Sequence, residues 1–146
     1  MAAIDWYSRY VLDWALSPTL EADFCIETVS QLLTQGGRCK IFNTDQGAQF
    51  TTNRFTQPLL DCGIQVSMDG RGRALDNIFV ERLWRTVKYE HVFLHDFQTV
   101  HDVKQGLLDY FQFYNHQRLH QSLDYKTPAQ VYQAERQEVP SSRASV

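Results

Sequence analysis

The chain of 146 residues is long enough for one folded domain with a single hydrophobic core. Its 43% hydrophobic and 13% aromatic residues are typical of a globular protein and exclude a disordered chain. The net charge of −3 argues against a protein that binds nucleic acid through its overall charge. No apolar run approaches the roughly 20 residues of a membrane span, and the first residues lack the basic-then-apolar pattern of a signal peptide. We therefore expect a cytoplasmic protein without membrane contact.

The cysteines predict no metal centre. They are odd in number, widely spaced and form no Cys-x-x-Cys pair. This pattern is typical of reduced thiols in a protein core and not of a zinc site. The three residues are Cys25, Cys39 and Cys62.

The N-terminal half alternates between predicted strands and helices. Two runs of strand-forming residues, 2–6 and 10–16, predict an antiparallel pair. Thr19 is the predicted cap of a helix that ends at Gly36-Gly37. A short buried strand, a helix and another short strand are then predicted over 39–43, 53–61 and 64–67. This alternation predicts an α/β fold with a parallel portion.

Helices dominate the C-terminal half. A polar loop is predicted over 68–75, and Asp76 and Asp96 are the predicted caps of the next two helices. The second of these helices has an apolar stripe that predicts a core-facing side. The stripe consists of Val100, Val103, Leu107, Tyr110, Phe111 and Tyr114. A last short helix is predicted from Thr127-Pro128 to about Gln133, followed by a disordered tail over 135–146.

Two carboxylates lie where a metal site could be built. Asp45 stands where a predicted strand runs into a glycine turn, and Glu81 stands one turn inside a predicted helix, with 35 residues between them. Mg²⁺ prefers carboxylate oxygens, and two such ions can activate an attacking oxygen and stabilise a leaving oxygen. Structural alternatives stay open. Asp45 is also typical of a turn-forming aspartate, and Glu81 of a surface pair with Arg85.

Cations surround Glu81 in the sequence. Arg85 and Lys88 follow it at i+4 and i+7, which predicts one shared helix face. Another face is expected to anchor the helix through Val80, Trp84 and Val87. The local basic strip within 18 residues consists of Arg71, Arg73, Arg82, Arg85 and Lys88. Such a strip predicts phosphate contacts, with an ordinary solvated surface as the alternative.

Four segments resemble successive blocks of one known family. They are Asn43–Thr51, Ser67–Gly72, Asp76 to Glu81 with Lys88 following, and Tyr114–Leu123 with Thr127-Pro128 following. In this order they resemble the Asp-Asp-Glu transposases of bacterial insertion sequences, in the retroviral-integrase superfamily, over the chain to about Tyr132. The resemblance implies a ribonuclease-H-like fold, a mixed sheet flanked by helices, with residues 1–134 as the catalytic core. It also implies cleavage and joining of transposon-end DNA in the bacterial cytoplasm, with Mg²⁺ as cofactor and Mn²⁺ as the alternative ion.

The resemblance assigns roles residue by residue. Asp45 matches the second catalytic aspartate and Glu81 the catalytic glutamate, both as metal ligands. Lys88 matches the basic residue that contacts transposon-end DNA. The family's C-terminal block, whose role is DNA contact or packing, is matched by Tyr114, Asn115, Arg118 and His120. The full set of expected DNA contacts is Lys88, Arg85, Arg71, Arg73 and Arg118. The implied partners are transposon-end and target DNA, together with further copies of the chain or a complementing upstream transposase polypeptide.

The family's first catalytic aspartate is the open point. Asp5 is a candidate, but residues 3–16 resemble the second and third strands of the family, and the 39 residues between Asp5 and Asp45 are short for its first interval. We therefore expect the chain to begin after the first, central strand. Three interpretations follow. The chain is a catalytic fragment that is inactive alone, or a strand transferase that uses Asp5 or an upstream polypeptide, or a non-catalytic remnant that binds DNA or transposase as a competitor.

Overall fold

The computed structural model describes residues 1–19, 21–36, 39–68 and 78–138. Within these ranges the chain forms four strands and five α-helices. The strands are β1 (Ala2–Ile4), β2 (Val11–Trp14), β3 (Ile41–Thr44) and β4 (Gln65–Met68). The helices are α1 (Asp23–Thr34), α2 (Asn53–Asp61), α3 (Ile78–Glu90), α4 (Val100–His116) and α5 (Pro128–Glu138). None of these helices has the length and hydrophobicity that a membrane crossing requires.

The strands pair two by two. β1 is antiparallel to β2, with Ala2 opposite Trp14, and β3 is parallel to β4, with Ile41 opposite Gln65. The predicted antiparallel pair and the predicted parallel portion are both confirmed. The mixed sheet, however, is not continuous in the described part of the chain, because no ladder joins β1 to β3. Strands form one sheet only through such backbone ladders, so two separate two-stranded sheets result.

Two hydrophobic clusters fill the interior. The first lies between the β1–β2 sheet, α3 and α4, and consists of Val11, Leu83, Val87, Leu107, Tyr110, Phe111 and Tyr114. The second lies between α1, α2 and the β3–β4 sheet, and consists of Cys25, Val29, Phe55, Leu59 and Ile64. Phe55 is fully buried, with the rings of Phe42 and Phe50 at 6.1 and 5.2 Å. The periodic apolar positions of the helices thus face the two sheets.

The side chain of Asn115 takes the place of a strand beside β2. Its Nδ2 donates to the carbonyl oxygen of Val11 and its Oδ1 accepts from the Val11 N–H, both at 2.9 Å. Asn115 is only 7% exposed. The amide therefore pairs two backbone groups that burial would otherwise leave without a partner.

The first helix begins later than predicted. α1 starts at Asp23, and the residue before it, Ala22, has no side-chain capping bond. Thr19 instead belongs to a turn in which its N–H donates to Ser17 Oγ at 3.2 Å. The predicted cap at Thr19 is therefore wrong, because its short polar side chain is used in a local turn.

The long fourth helix also has a different cap. Thr99 and Asp102 form a reciprocal capping box at its start, so Asp96 lies outside the helix. The predicted cap at Asp96 is wrong, because a threonine followed three residues later by an acid satisfies two N–H groups at once. Val100 is 56% exposed, so the buried stripe of the helix begins at Val103.

The remaining predictions differ in outcome. The helix predicted over 53–61 is confirmed with the same bounds. α5 continues to Glu138, past the predicted end near Gln133, so the first residues of the predicted tail are helical. Asp76, the rest of the loop after Met68 and residues 139–146 lie outside the described residues.

The three cysteines are free, but only one of them is in the core. Cys25 is buried against Val29 and Phe55 in the second cluster, while Cys39 and Cys62 are exposed. Cys62 follows the last turn of α2 and Cys39 precedes β3, both at the surface. The prediction of core thiols is therefore correct for Cys25 and wrong for the other two.

Candidate active site

Asp45 directly follows β3 and is held by the turn that it enters. Its Oδ1 accepts a hydrogen bond from the Gly47 backbone N–H at 2.8 Å, and the residue is exposed. This is the turn-forming role that the sequence left as an alternative. Within the described residues, Oδ2 makes no hydrogen bond or ion pair. The turn therefore orients the carboxylate and leaves one of its oxygens available to a cation.

Gly47 provides the space for this arrangement. A Cβ atom at this position would lie 2.8 Å from Asp45 Oδ1 and 2.7 Å from Gln49 Nε2. Real Cβ atoms do not approach neighbours so closely, so one of the two side chains would have to move. Because both are side-chain ends, the fold can adapt while the direction of the carboxylate changes.

We expect Gly47→Ala to impair activity far more than stability. In the DNA-joining reaction that the resemblance implies, measured with an upstream-extended version of the chain, the displaced carboxylate should reduce the rate roughly tenfold or more, since misplacing a catalytic group by about 1 Å has effects of this order. The free energy of unfolding, measured by urea denaturation, should change by less than about 1 kcal/mol. Gly36→Ala is the control with the opposite result, because Gly36 has a φ of 78° and open space around it. That change should cost about 1 kcal/mol of stability and leave activity unchanged.

α3 presents its charged residues on one exposed face. Glu81, Arg85 and Lys88 are all exposed, while Leu83 and Val87 on the other side are buried. The described residues contain ion pairs between Arg54 and Asp23 and between Arg118 and Glu90, and Glu81 belongs to neither. The surface pair between Glu81 and Arg85 is therefore not observed. Val80 and Trp84, expected to anchor the helix, are half-buried.

Asp45 and Glu81 have the donor chemistry that Mg²⁺ prefers, but they do not form a full metal cluster. Among the described residues, no three His, Cys, Asp or Glu side chains come together as a group that could hold a metal ion. Mg²⁺ is commonly bound by one or two protein carboxylates, with waters and substrate phosphates as the other ligands. Each of the two acids therefore has the oxygen chemistry that suits this ion, and their place in one site stays a prediction.

Asp5 is used by the turn between β1 and β2. Its Oδ2 accepts from the Ser8 N–H at 2.7 Å and from the Ser8 hydroxyl at 2.5 Å. Its backbone N–H donates to the carbonyl oxygen of Tyr10 at 2.9 Å. Ser8 is fully buried, so this carboxylate satisfies a buried polar pair. Such a role accounts for Asp5 without a metal ion.

The start of the chain and strand β3 share a hydrophobic cluster. Met1, directly before β1, packs on the second cluster together with Phe42 of β3. Desolvation raises the pKa of the Cys39 thiol, directly before β3, and the charge of Asp5 raises it further. Since no ladder joins β1 and β3, each has an edge that pairs with no strand in the described part of the chain.

Arg118 is bound to Glu90 in this structure. Its Nη2 and Nε lie 2.5 and 2.8 Å from the two carboxylate oxygens, and the Tyr110 hydroxyl donates to Glu90 Oε2 at 2.8 Å. The hydrogen bonds from Arg118 hold the pKa of Glu90 below its usual range. This contact ties the end of α3 to the residues that follow α4, and the expected contact of Arg118 with DNA stays a prediction.

His120 lies beside this ion pair in its neutral form. Its ring is 4.9 Å from that of Tyr114, and its Nε2 is 3.3 Å from Arg118 Nη1. Burial, and then the charge of Arg118, lowers the pKa of His120 from 6.5 to about 4. Because the folded value is below the unfolded one, the unfolded chain binds the extra proton first as pH falls.

We therefore expect the free energy of unfolding to decrease as pH falls from about 6.5 towards about 4. The contribution of His120 is complete above the upper value and is lost towards the lower one. Urea unfolding at several pH values between about 7 and 5 should show a smaller decrease for His120→Gln than for the unmodified chain. His101→Gln, at an exposed position of α4, is the matched control and should keep the full decrease. An unchanged pH dependence in His120→Gln would contradict this assignment.

With this geometry in place, comparison with known proteins shows the family. Two family models described as the integrase core domain match the sequence, one over residues 1–74 and the other over residues 62–128. The chain belongs to the integrase core domain family. This confirms the resemblance to the retroviral-integrase superfamily and its insertion-sequence transposases.

The relatives of this integrase core are transposases and retroviral integrases. The transposase for insertion sequence element IS904 of Lactococcus lactis subsp. lactis (strain IL1403) is 32% identical over 130 residues, covering 86% of this chain and 51% of the transposase. The chain thus spans about half the length of that relative. The catalytic core domain of BIV integrase has a TM-score of 0.72 at 21% identity, covering 94% of this chain and 87% of that chain.

A second retroviral core extends the comparison. The HTLV-2 integrase catalytic core domain, solved in complex with magnesium in a dimeric form, has a TM-score of 0.66 at 17% identity. The match covers 88% of this chain and 80% of that chain. These likenesses confirm the ribonuclease-H-like fold class for this integrase core.

Two contacts within the integrase core were not found from the sequence. Arg118 binds Glu90, which is 28 residues away in the sequence, and Asn115 binds Val11, which is 104 residues away. No local pattern signals pairs so distant. Of the other predicted DNA contacts, Arg71 and Arg73 lie outside the described residues.

Proposed function

We propose that this integrase core takes part in cutting and joining DNA at the ends of a mobile element, with Asp45 and Glu81 as its catalytic carboxylates. The observation that carries the proposal is the state of these two acids. Both are exposed, Asp45 in the turn after β3 and Glu81 on α3, and neither forms an ion pair in the described part of the chain. The IS904 relative, a transposase, supports DNA as the substrate.

Asp45 and Glu81 would hold Mg²⁺, with Mn²⁺ as the alternative ion. The magnesium complex of the HTLV-2 core supports this choice. The bound ion supplies Lewis-acid stabilisation of the reacting phosphate. The chain's own contribution is orientation: the Gly47 N–H fixes one oxygen of Asp45, and the buried side of α3 fixes the direction of Glu81.

Lys88 and Arg85 are proposed to hold the DNA backbone. They lie on the same exposed face as Glu81, within two turns of helix. The distance along this face suits cations that bind phosphates next to the reacting one. Arg71 and Arg73 are proposed as further contacts on sequence grounds. In the joining step a terminal 3′-hydroxyl oxygen forms a bond to a target phosphorus, and the bond from that phosphorus to the target strand's 3′-oxygen breaks.

We infer that a further strand completes the site by pairing between β1 and β3. Each of these two strands has one edge without a strand partner in the described part of the chain. Adjacent strands lie about 4.8 Å apart, and one inserted strand would pair with both edges. The 57% exposure of Ile41 on β3 also supports a missing cover. An upstream polypeptide segment would bring this strand and the third carboxylate, and residues 1–134 would be the partial core that accepts it.

The oligomeric state is proposed from a solved structure. The dimeric form of the HTLV-2 core supports a homo-oligomer as the working state.

The absence of a group of three metal-binding side chains among the described residues favours a second function, that of a non-catalytic competitor which binds DNA or transposase.

The test compares this chain with an upstream-extended version in a strand-transfer reaction with element-end DNA and Mg²⁺ or Mn²⁺. We expect little or no joining by the chain alone and robust joining by the extended version. Robust joining by the chain alone, lost in Asp5→Asn, would overturn the completing strand. Inactivity of both versions, with DNA binding retained in EDTA, would instead support the competitor.

A further inference from the structure

The turn between β1 and β2 presents two exposed aromatic rings beside a cation. Trp6 is 40% and Tyr7 67% exposed. The guanidinium carbon of Arg9 lies 3.8 Å from the ring centroid of Phe79, in the first turn of α3. Trp6 packs on the same ring at 5.6 Å between centroids. The turn is thereby fixed to the helix segment that carries Glu81, two residues after Phe79.

The backbone of this turn is strained but well held. Arg9 has a φ of 64°, in the left-handed region that favours glycine. Its N–H donates to the carbonyl oxygen of Asp5 at 2.8 Å, and the Tyr10 N–H donates to the hydroxyl of buried Ser8 at 3.2 Å. The contact of the Arg9 side chain with the Phe79 ring helps to stabilise this positive φ. The rings of Trp6 and Tyr7 are thus presented by a rigid turn.

The charge beside the two rings suits an anion. Burial lowers the pKa of Arg9, and the nearby charge of Asp5 raises it. The acid in the same turn, Asp5, already accepts two hydrogen bonds from Ser8. The Arg9 guanidinium forms no ion pair among the described residues, so its charge can attract a negatively charged group.

We propose that Trp6 and Tyr7 stack an unpaired base of bound DNA while Arg9 holds the adjacent phosphate. Exposed aromatic rings next to cations are the usual means of binding single-stranded nucleic acid. The base must be unpaired to lie between two side chains, because inside a duplex both of its faces are covered by neighbours and at a blunt end only one face is open. This inference rests on the proposed function, since it places a splayed nucleotide next to Glu81 at the DNA end being processed.

The test measures binding of the full chain to two labelled duplexes at low ionic strength in EDTA. One duplex is blunt and the other has a single-stranded overhang of about four nucleotides. We expect the overhang duplex to bind roughly tenfold more tightly, a difference typical of a stacked base. Tyr7→Ala should remove this preference without changing the affinity for the blunt duplex, and Tyr7→Phe should keep it.

The matched control is Tyr125→Ala, at a tyrosine that is 65% exposed elsewhere on the surface. It should behave as the unmodified chain with both duplexes. Equal affinity of the unmodified chain for the two duplexes, or an unchanged preference in Tyr7→Ala, would overturn the stacking site. Either result leaves the strand-transfer test of the proposed function untouched, because that test depends on Asp45, Glu81 and metal.

Discussion

Asp45→Asn and Glu81→Gln should each reduce strand transfer by the upstream-extended protein at least about a hundredfold, because metal-ion stabilisation of the transition state is worth several kcal/mol. An amide cannot supply the anionic oxygen that the ion needs. Both replacements are nearly isosteric, and the asparagine oxygen at position 45 can still accept the Gly47 N–H. Rates are measured at saturating Mg²⁺, together with urea midpoints.

The controls are the same chemical changes at exposed positions away from the candidate site. Asp61→Asn, at the end of α2, and Glu27→Gln, on α1, should keep full activity. All four proteins should unfold at similar urea concentrations. Activity that survives both Asp45→Asn and Glu81→Gln would remove these acids from the mechanism.

The largest expected effect on stability is that of Asn115→Ala. This change removes both hydrogen bonds to the backbone of Val11 and leaves a buried N–H and a buried carbonyl oxygen without a partner. Each such group costs about 1–3 kcal/mol, so we expect a loss of about 2–5 kcal/mol in the free energy of unfolding. Urea denaturation followed by circular dichroism measures it.

Asn115→Asp is informative as a second variant. It keeps an acceptor for the Val11 N–H but places a charge opposite the Val11 carbonyl oxygen, so it should also be destabilising. Asn53→Ala, at the exposed start of α2, is the matched control and should change the stability by less than about 0.5 kcal/mol. If Asn115→Ala were as mild as the control, the strand-like role of Asn115 would be wrong.

Local patterns were sufficient for most of the elements. The helix over 53–61 was predicted with its bounds because a polar start and the following Gly63, with a φ of 75°, punctuate it. Caps were less predictable. Thr19 and Asp96 are good capping residues in isolation. Thr19, however, is hydrogen-bonded to Ser17 in a turn, and the Thr99–Asp102 capping box takes the place of a cap at Asp96. Which of several suitable residues caps a helix depends on where packing lets the helix begin.

The candidate site was predictable only in part. The exposed face with Glu81, Arg85 and Lys88 follows from the helical period, since buried Leu83 and Val87 occupy the opposite side. The contact of Arg118 with Glu90 could not be predicted, because any of several acids could have met that guanidinium. For Asp45 the sequence left two roles, and the turn with Gly47 is compatible with both.

The sequence by itself determined the family, the order of the elements and the two carboxylates, because each is encoded in short segments whose residues are neighbours along the chain. The tertiary structure decided what lies far apart in sequence. It pairs Asn115 with Val11, Arg118 with Glu90 and Arg9 with Phe79. It also separates the strands into two sheets whose inner edges lack a ladder. Such contacts depend on how packed elements approach each other in space, which no local period records.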